Sequence, residues 1–170
     1  TLIAAFIALD GESNWLEGNS VGIYLMYSTG VTITGNHLVH NRGPSGYGLG
    51  LKETDRFTVT DNIITGNRVG IYIDGSPFTT KAPGVFTGNA IAYNDTGIMF
   101  LPSARNNEIS ENNFIDNIDQ VAVAGRGDLK ANRFWVTSKR KSRKCRRISV
   151  TLHRLGNRLP CSSGTRHVAL

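Results

Sequence analysis

Cysteine is absent from residues 1–136 of this chain, because Cys145 and Cys161 both lie in the final segment. Disulfide bonds and thiolate metal sites are therefore excluded as supports for the longer part of the sequence. Acidic residues are absent from residues 137–170, which contain ten Lys and Arg and no Asp or Glu. Residues 1–136 contain nine Lys and Arg against thirteen Asp and Glu. The net charge of +6 thus combines −4 before residue 137 with +10 after it.

The chain also lacks a hydrophobic run of membrane-spanning length. Residues 1–9 (TLIAAFIAL) are apolar, but a transmembrane helix needs about 20 such residues. This stretch has neither a basic leader nor a clear small-residue cleavage site, so we do not assign it as a signal peptide. We expect it to form an edge strand of a partial first coil within residues 1–19. Because the sequence opens on Thr1 rather than Met, we also expect a fragment or a processed chain.

Several motifs with well-understood chemistry are missing as well. The sequence contains no CxxC, HExxH, GxSxG, GxxxxGK[ST] or GGxGxD. These absences argue against the zinc-protease, nucleophile-elbow, phosphate-loop and calcium-solenoid classes that such motifs mark.

Asparagine, in contrast, recurs at fixed offsets. The segments 32–41, 58–67, 86–94 and 109–117 align without gaps, and the spacing in both asparagine columns is 26, 27 and 23 residues. The first column is Asn36, Asn62, Asn89 and Asn112, and the second is Asn41, Asn67, Asn94 and Asn117. A repeat of this length is one supersecondary unit that must stack on a neighbour to bury its apolar face, so the pattern predicts a solenoid.

Apolar residues alternate along each repeat with period two, which predicts strands. The inward columns begin with Ile23, Leu25, Ile33 and Leu38, and Tyr24, Gly50, Tyr72, Met99 and Ala122 form an outward column. Three short strands per repeat, joined by tight corners, predict an all-β, right-handed parallel β-helix of about five coils over residues 20–136. Asparagine tolerates left-handed backbone angles and forms Asx-type turns, so we expect the two columns to be structural ladders at the corners. The preceding residues Gly35, Gly66 and Gly88 suit the same bends.

The basic segment 137–170 does not follow the repeat. We expect a frame-shifted or fused sequence there, with a natural disordered tail as the alternative. A nucleic-acid-binding arm is a weaker reading, because the segment has no aromatic residue on which bases could stack.

Few residues offer chemistry. Lys52 and Asp74 share an outward column on adjacent coils, and we interpret them as a surface ion pair, with an acid–base pair of a polysaccharide lyase or epimerase as the alternative. Thioether and imidazole groups suit copper, which makes Met26, Met99, His37 and His40 weak metal candidates. The two methionines lie three coils apart, and His37 and His40 are expected to point to opposite faces of an extended segment, so no ready-made site is predicted.

Residues 36–77 (NHLVHNRGPSGYGLGLKETDRFTVTDNIITGNRVGIYIDGSP) resemble the periplasmic NosD family, and residues 22–36 and 94–125 extend the similarity to about 19–136. The broader similarity is to the carbohydrate-binding and sugar-hydrolase β-helices known as the CASH group. The NosD resemblance implies a periplasmic location and possible copper binding. It also implies work beside an ABC transporter and a copper chaperone in maturing the copper–sulfur centre of nitrous oxide reductase.

Three functions are therefore compatible with this sequence. The first is a non-enzymatic scaffold for that maturation, contacting its partners through two insertions, 42–46 and 76–84, and an outward aromatic stripe. Its candidate contact residues are Tyr24, Tyr72, Arg42, Pro44, Tyr47 and Phe78. The second is a carbohydrate-binding or carbohydrate-active β-helix that uses Lys52 and Asp74. The third is an inactive structural repeat fragment.

Overall fold

Short parallel strands joined by tight corners make up the fold. The structure, a computed structural model, describes residues 14–79, 81–125, 132–135 and 150–151. These residues contain no helix, and their strands are β1 Trp15–Glu17, β2 Val21–Met26, β3 Thr32–Thr34, β4 His37–Val39, β5 Tyr47–Lys52, β6 Thr58–Thr60, β7 Ile63–Thr65, β8 Val69–Asp74, β9 Gly84–Thr87, β10 Ala90–Ala92, β11 Thr96–Phe100, β12 Asn107–Ser110, β13 Asn113–Ile115, β14 Asp119–Val123, β15 Arg133–Trp135 and β16 Val150–Thr151.

The strands form three sheets, each of which is one wall of a parallel β-helix. Sheet A has the order β1-β4-β7-β10-β13, sheet B β16-β14-β11-β8-β5-β2, and sheet C β15-β12-β9-β6-β3. Each complete turn visits sheets B, C and A in succession, from β2–β3–β4 to β11–β12–β13, which makes four complete turns with partial turns on both sides. The predicted parallel β-helix is confirmed, and its right-handed sense follows the general rule for parallel crossovers.

Apolar side chains from all three walls fill the interior. Every inward position predicted for the first three turns is buried, and the fully buried side chains include Phe57, Phe86, Phe100, Ile23, Ile33, Leu38, Leu49, Leu51, Ile64, Ile71, Ile73 and Ile91. Phe57 and Phe86 pack edge to face with ring centroids 5.5 Å apart. Phe114 and Val123, in the last turns, are only partly buried. Burial of each large side chain contributes about 1.5–3 kcal/mol, so the interior is the main stabilising feature.

The two predicted asparagine columns form continuous hydrogen-bonded ladders. In the second one, the backbone N and Nδ2 of Asn41 donate to Asn67 Oδ1 at 2.9 and 3.1 Å, and the same groups of Asn67 donate to Asn94 Oδ1 at 2.9 and 3.0 Å. Asn14 extends the first ladder by donating to Asn36, and Asn19 joins the second through Asn41. The amides thus link successive turns along the axis of the β-helix, in the same direction as the hydrogen bonds between its strands.

The left-handed angles, however, do not fall on the ladder asparagines. They fall on the residue immediately before each one, and this preceding residue has positive φ throughout both ladders: Gly35, Asp61, Gly88 and Glu111 in the first, and His40, Gly66, Tyr93 and Asp116 in the second. The expectation that the asparagines themselves use αL angles is therefore wrong, whereas the expectation that Gly35, Gly66 and Gly88 make these bends is confirmed. The preceding residue makes the bend, which leaves the asparagine pointing inward. In the first ladder its Nδ2 donates to the carbonyl two residues back, as in Asn36 to Thr34, whereas in the second it donates to a carbonyl of the preceding turn, as in Asn67 to Leu38.

A third corner ladder, between sheets B and C, was not predicted. The backbone N and Nδ2 of Asn107 donate to Asn132 Oδ1 at 3.1 and 2.8 Å. In the preceding turn the partner position is Gly84, at the end of the 76–84 insertion, so among the described residues the buried Asn107 Oδ1 has no donor. This ladder therefore ends at Asn107, because the 76–84 insertion places a glycine at the next position.

Most of segment 137–170 lies outside the described residues, as does most of 1–19, so the predicted boundaries of the end segments stay predictions. The described pair Val150–Thr151 is parallel to β14, with Val150 opposite Val121.

Candidate functional site

The outer face of sheet B carries most of the residues that the sequence marked as candidates. Tyr24, Gly50, Tyr72 and Met99 lie side by side on successive turns, as the repeat predicted, and Met26, Lys52 and Asp74 form the adjacent outward column. Tyrosine and methionine are uncommon on the outward positions of the other two walls. The outward positions of sheet C carry mainly hydroxyls, among them Thr34, Thr60, Thr87 and Ser110.

The tyrosines of this face are packed against their neighbours on adjacent turns. The rings of Tyr47 and Tyr72 are stacked, with centroids 4.3 Å apart and planes 4° apart. Tyr24 lies over Gly50, where an added Cβ would come within 2.2 Å of the Tyr24 ring. Partial burial raises the pKa of Tyr72 to about 12, and burial likewise raises the pKa of Tyr24. Both phenols are therefore neutral hydrogen-bonding groups at physiological pH.

Lys52 and Asp74 are neighbours, as the register predicted. Lys52 Nζ lies 3.9 Å from Asp74 Oδ2, and both side chains are partly exposed. Ser103 Oγ donates to Asp74 Oδ1 at 3.3 Å. A partly exposed pair at this distance contributes at most about 1 kcal/mol to stability. This geometry is that of an ordinary surface ion pair.

Both insertions border sheet B. The 42–46 segment ends directly before β5, and the 76–84 segment begins one residue after the end of β8. In the first, Arg42 forms a hydrogen-bonded ion pair with Asp95. The carbonyl of the exposed Pro44 accepts a hydrogen bond from Arg68 Nη1 at 3.4 Å. In the second, Phe78 is 60% exposed. The candidate contact residues thus occupy one wall and its two margins.

The histidines lie on sheet A rather than sheet B. The ring of His37 stacks on Trp15 with centroids 4.8 Å apart, and His40 Nδ1 lies 3.4 Å from Glu17 Oε1. Trp15 Nε1 donates to Glu17 Oε2 at 2.9 Å, so both imidazoles contact the same outward pair on β1. The expectation that they point to opposite faces is wrong, because the left-handed corner at His40 (φ 50°) turns its side chain back to the outer surface.

These residues do not amount to a closed copper site. Within the described ranges, no group of three or more His, Cys, Asp or Glu side chains is arranged to hold a metal ion. Met26 and Met99 lie on the first and fourth complete turns, about 14 Å apart at about 4.8 Å per turn, and cannot share an ion. His40 and Glu17 supply two donors at most.

Within the part of the chain that the structure describes, we find no helical segment with the length and hydrophobicity that a bilayer crossing requires. The family described as "Periplasmic copper-binding protein (NosD)" matches residues 10–157, which is most of the chain and extends past residue 136. Neither a curated protein nor a solved structure gives a significant match.

Proposed function

Because this chain belongs to the NosD family of periplasmic copper-binding proteins, we propose that it is a non-catalytic periplasmic scaffold in copper-site maturation. In this role it acts with an ABC transporter and a copper chaperone in building the copper–sulfur centre of nitrous oxide reductase. Family membership supports the copper chemistry and the compartment. The observation that supports a scaffold role is the set of tyrosine and methionine side chains on the outer face of sheet B.

That face has the composition of a protein-binding surface. Tyrosine and methionine are enriched in interface cores. Tyrosine offers a large contact area at a modest cost in conformational entropy, and methionine has a flexible thioether side chain that adapts to the partner's surface. Tyr47 and Tyr72 are ordered by stacking on each other and Tyr24 by its contact with Gly50, which lowers the entropy lost on binding. The ladders and the apolar interior hold the wall rigid, and the two insertions add contacts at its margins.

The test is retention of the three partners by the immobilised chain. We expect the reductase, the chaperone or the transporter to be retained, and Tyr24→Ser with Tyr72→Ser to weaken that binding about tenfold or more, as loss of aromatic anchors does. Thr34→Ala with Thr60→Ala, on the outer face of sheet C, is the matched control and should leave binding unchanged. Retention of none of the three by wild-type protein contradicts the proposal.

A polysaccharide-active β-helix is the second candidate, because Lys52 and Asp74 lie together on an outward column where a polymer could reach both. A carboxylate beside an ammonium group is the minimum for proton abstraction and return. Turnover of a uronate polymer that is abolished by Asp74→Asn, in a folded variant, would replace the scaffold proposal by this one.

A further inference from the structure

A single charged residue is buried in the part of the chain that the structure describes. Asp55 is 5% exposed, whereas every other described Asp, Glu, Lys and Arg is exposed or only partly buried. Charged side chains are rarely buried without a partner that compensates for the lost water. Among the described residues Asp55 forms no ion pair, so the compensation comes from neighbouring backbone.

The backbone partner of Asp55 belongs to the 76–84 insertion. The backbone N of Thr79 donates to Asp55 Oδ1 at 3.0 Å. Asp55 is itself placed by a parallel bridge to Thr29 and by donation of its backbone N to the Ser28 carbonyl at 2.9 Å. Its carboxyl group therefore connects a fixed corner of one turn to the inserted segment of the next.

The first residues of the insertion are fixed as well. Ser76 is fully buried, its Oγ accepts a hydrogen bond from Thr54 N at 2.9 Å, and its carbonyl accepts one from Asn107 Nδ2 at 3.0 Å. Pro77 is buried, and Phe78 after it is 60% exposed. The ring of Phe78 thus projects from a short segment whose backbone is held on both sides.

We propose that Asp55 is a positioning residue, which orders the 76–84 insertion so that Phe78 enters an apolar pocket on a protein partner. This inference rests on the proposed scaffold function and names the anchor of its interface. A phenyl ring has no hydrogen-bonding group, so it gains most from burial against apolar surface. Because the ring projects alone, the surface that buries it is concave. An ordered segment loses less entropy on binding than a mobile one, and the hydrogen bond from Thr79 supplies that order.

The order of the insertion is measured without a partner, by limited trypsin digestion of the full-length chain and mass spectrometry of the product cut after the exposed Lys81. We expect Asp55→Ala to accelerate this cut about fivefold or more, because the Thr79 N–H loses its acceptor and the segment opens more often. Asp55→Asn keeps an acceptor oxygen and should keep the wild-type rate. Cleavage after Arg68, directly before β8, reports global unfolding and should stay slow in every variant.

The anchor is tested by retention of the reductase, the chaperone or the transporter on the immobilised chain. Phe78→Ser should weaken retention about tenfold or more, as loss of an aromatic hot spot does, and should leave the cut after Lys81 unchanged. Asp55→Ala should weaken retention about two- to tenfold through the added cost of ordering the segment, and Asp55→Asn should restore it. Trp15→Ser, at an aromatic position that is 62% exposed on sheet A, is the matched control and should leave retention unchanged.

The outcomes separate this proposal from the scaffold function. A wild-type rate of the Lys81 cut in Asp55→Ala, or full retention by Phe78→Ser, overturns the proposal and leaves the scaffold function in place. Retention of no partner by wild type overturns the scaffold function and, with it, the role of Phe78 as anchor. If Asp55→Ala unfolds, which fast cleavage after Arg68 would show, Phe78→Ser decides alone, because an exposed ring is not needed for the fold.

Discussion

Arg42 reaches past one whole turn of the β-helix to bind Asp95. Its Nη2 lies 2.7 and 2.9 Å from the two carboxylate oxygens, and its Nη1 donates to the carbonyls of Gly66 and Asn67 on the turn between. One side chain thus connects three successive turns at the margin of sheet B. Arginine suits this role because its planar guanidinium carries several donors in a fixed geometry, which lysine cannot reproduce.

We therefore expect Arg42→Lys to lower the free energy of unfolding by about 1 kcal/mol, because a charge-assisted contact with Asp95 is retained in part while the carbonyl contacts are lost. The difference should shrink at high salt, since both side chains are nearly half exposed. Urea denaturation at two ionic strengths measures both effects. Arg68→Lys is the control, because Arg68 makes only a 3.4 Å contact with Pro44. Equal losses in the two variants would contradict a specific role for Arg42.

Substitution in the middle of an asparagine ladder should lower the free energy of unfolding far more than substitution at its exposed end. Asn67 is fully buried, its Oδ1 accepts two hydrogen bonds from Asn41, and its Nδ2 donates to the Leu38 carbonyl at 2.9 Å. Asn67→Ala leaves these groups buried without partners, so we expect a loss of about 3 kcal/mol or more. Asn19→Ala, at an exposed position, should cost less than about 0.5 kcal/mol. Similar midpoints for the two variants in denaturant would show that the ladder does not stabilise the fold.

The features that repeat strictly were predictable from the sequence. Period-two alternation and the 26- and 27-residue spacings assign the interior columns and the register that brings Lys52 beside Asp74. This works because parallel in-register stacking makes each residue lie over its counterpart in the next turn, so a column in the alignment is a column in space.

Features that depend on a single corner were not predictable. The αL position is filled by Gly66 on one turn and by His40 or Tyr93 on others, so residue type reveals it only where it is glycine. That backbone detail decides on which side of the wall His40 lies, and this is why the imidazole–carboxylate group was missed. The ladder of Asn107 and Asn132 was missed because the insertion before Gly84 interrupts its spacing. The available sequence signal was the Asn106–Asn107 pair, in which Asn106 takes the left-handed angle (φ 57°) immediately before the ladder residue.

Gly84 should tolerate no side chain. An added Cβ would lie 2.2 Å from Phe57 Cζ and 2.6 Å from Asn107 Oδ1. We expect Gly84→Ala to destabilise the protein by about 1–3 kcal/mol through overpacking. Phe57→Leu removes the nearer clash, so the same Gly84→Ala change should cost less in that background. A double-mutant cycle by thermal or urea denaturation measures this coupling. Strict additivity of the two substitutions would show that the ring does not restrict Gly84.

The tyrosine cluster on sheet B should have a pH-dependent contribution to stability. An unfolded tyrosine titrates near pH 10, whereas in the folded chain partial burial, with Tyr47 and Asp74 adding to it, raises the pKa of Tyr72 to about 12. The raised pKa means that the folded state favours the neutral phenol. Its stabilising contribution is therefore fully present below about pH 10 and is lost as pH rises through about 12.

A spectrophotometric titration of phenolate absorbance tests this directly. Wild-type protein should show a late ionisation step near pH 12, and Tyr72→Phe should remove that step together with part of the fall in stability between about pH 10 and 12. The titration of Tyr24, whose pKa is also raised, should remain. Tyr27→Phe, at a position that is 67% exposed, is the matched control and should leave the late step in place. Persistence of that step in Tyr72→Phe would assign it to another group and remove the argument that Tyr72 is held neutral by its neighbours. Its disappearance, with the fold intact by circular dichroism, supports a packed aromatic surface on sheet B, which is the property that partner binding there requires.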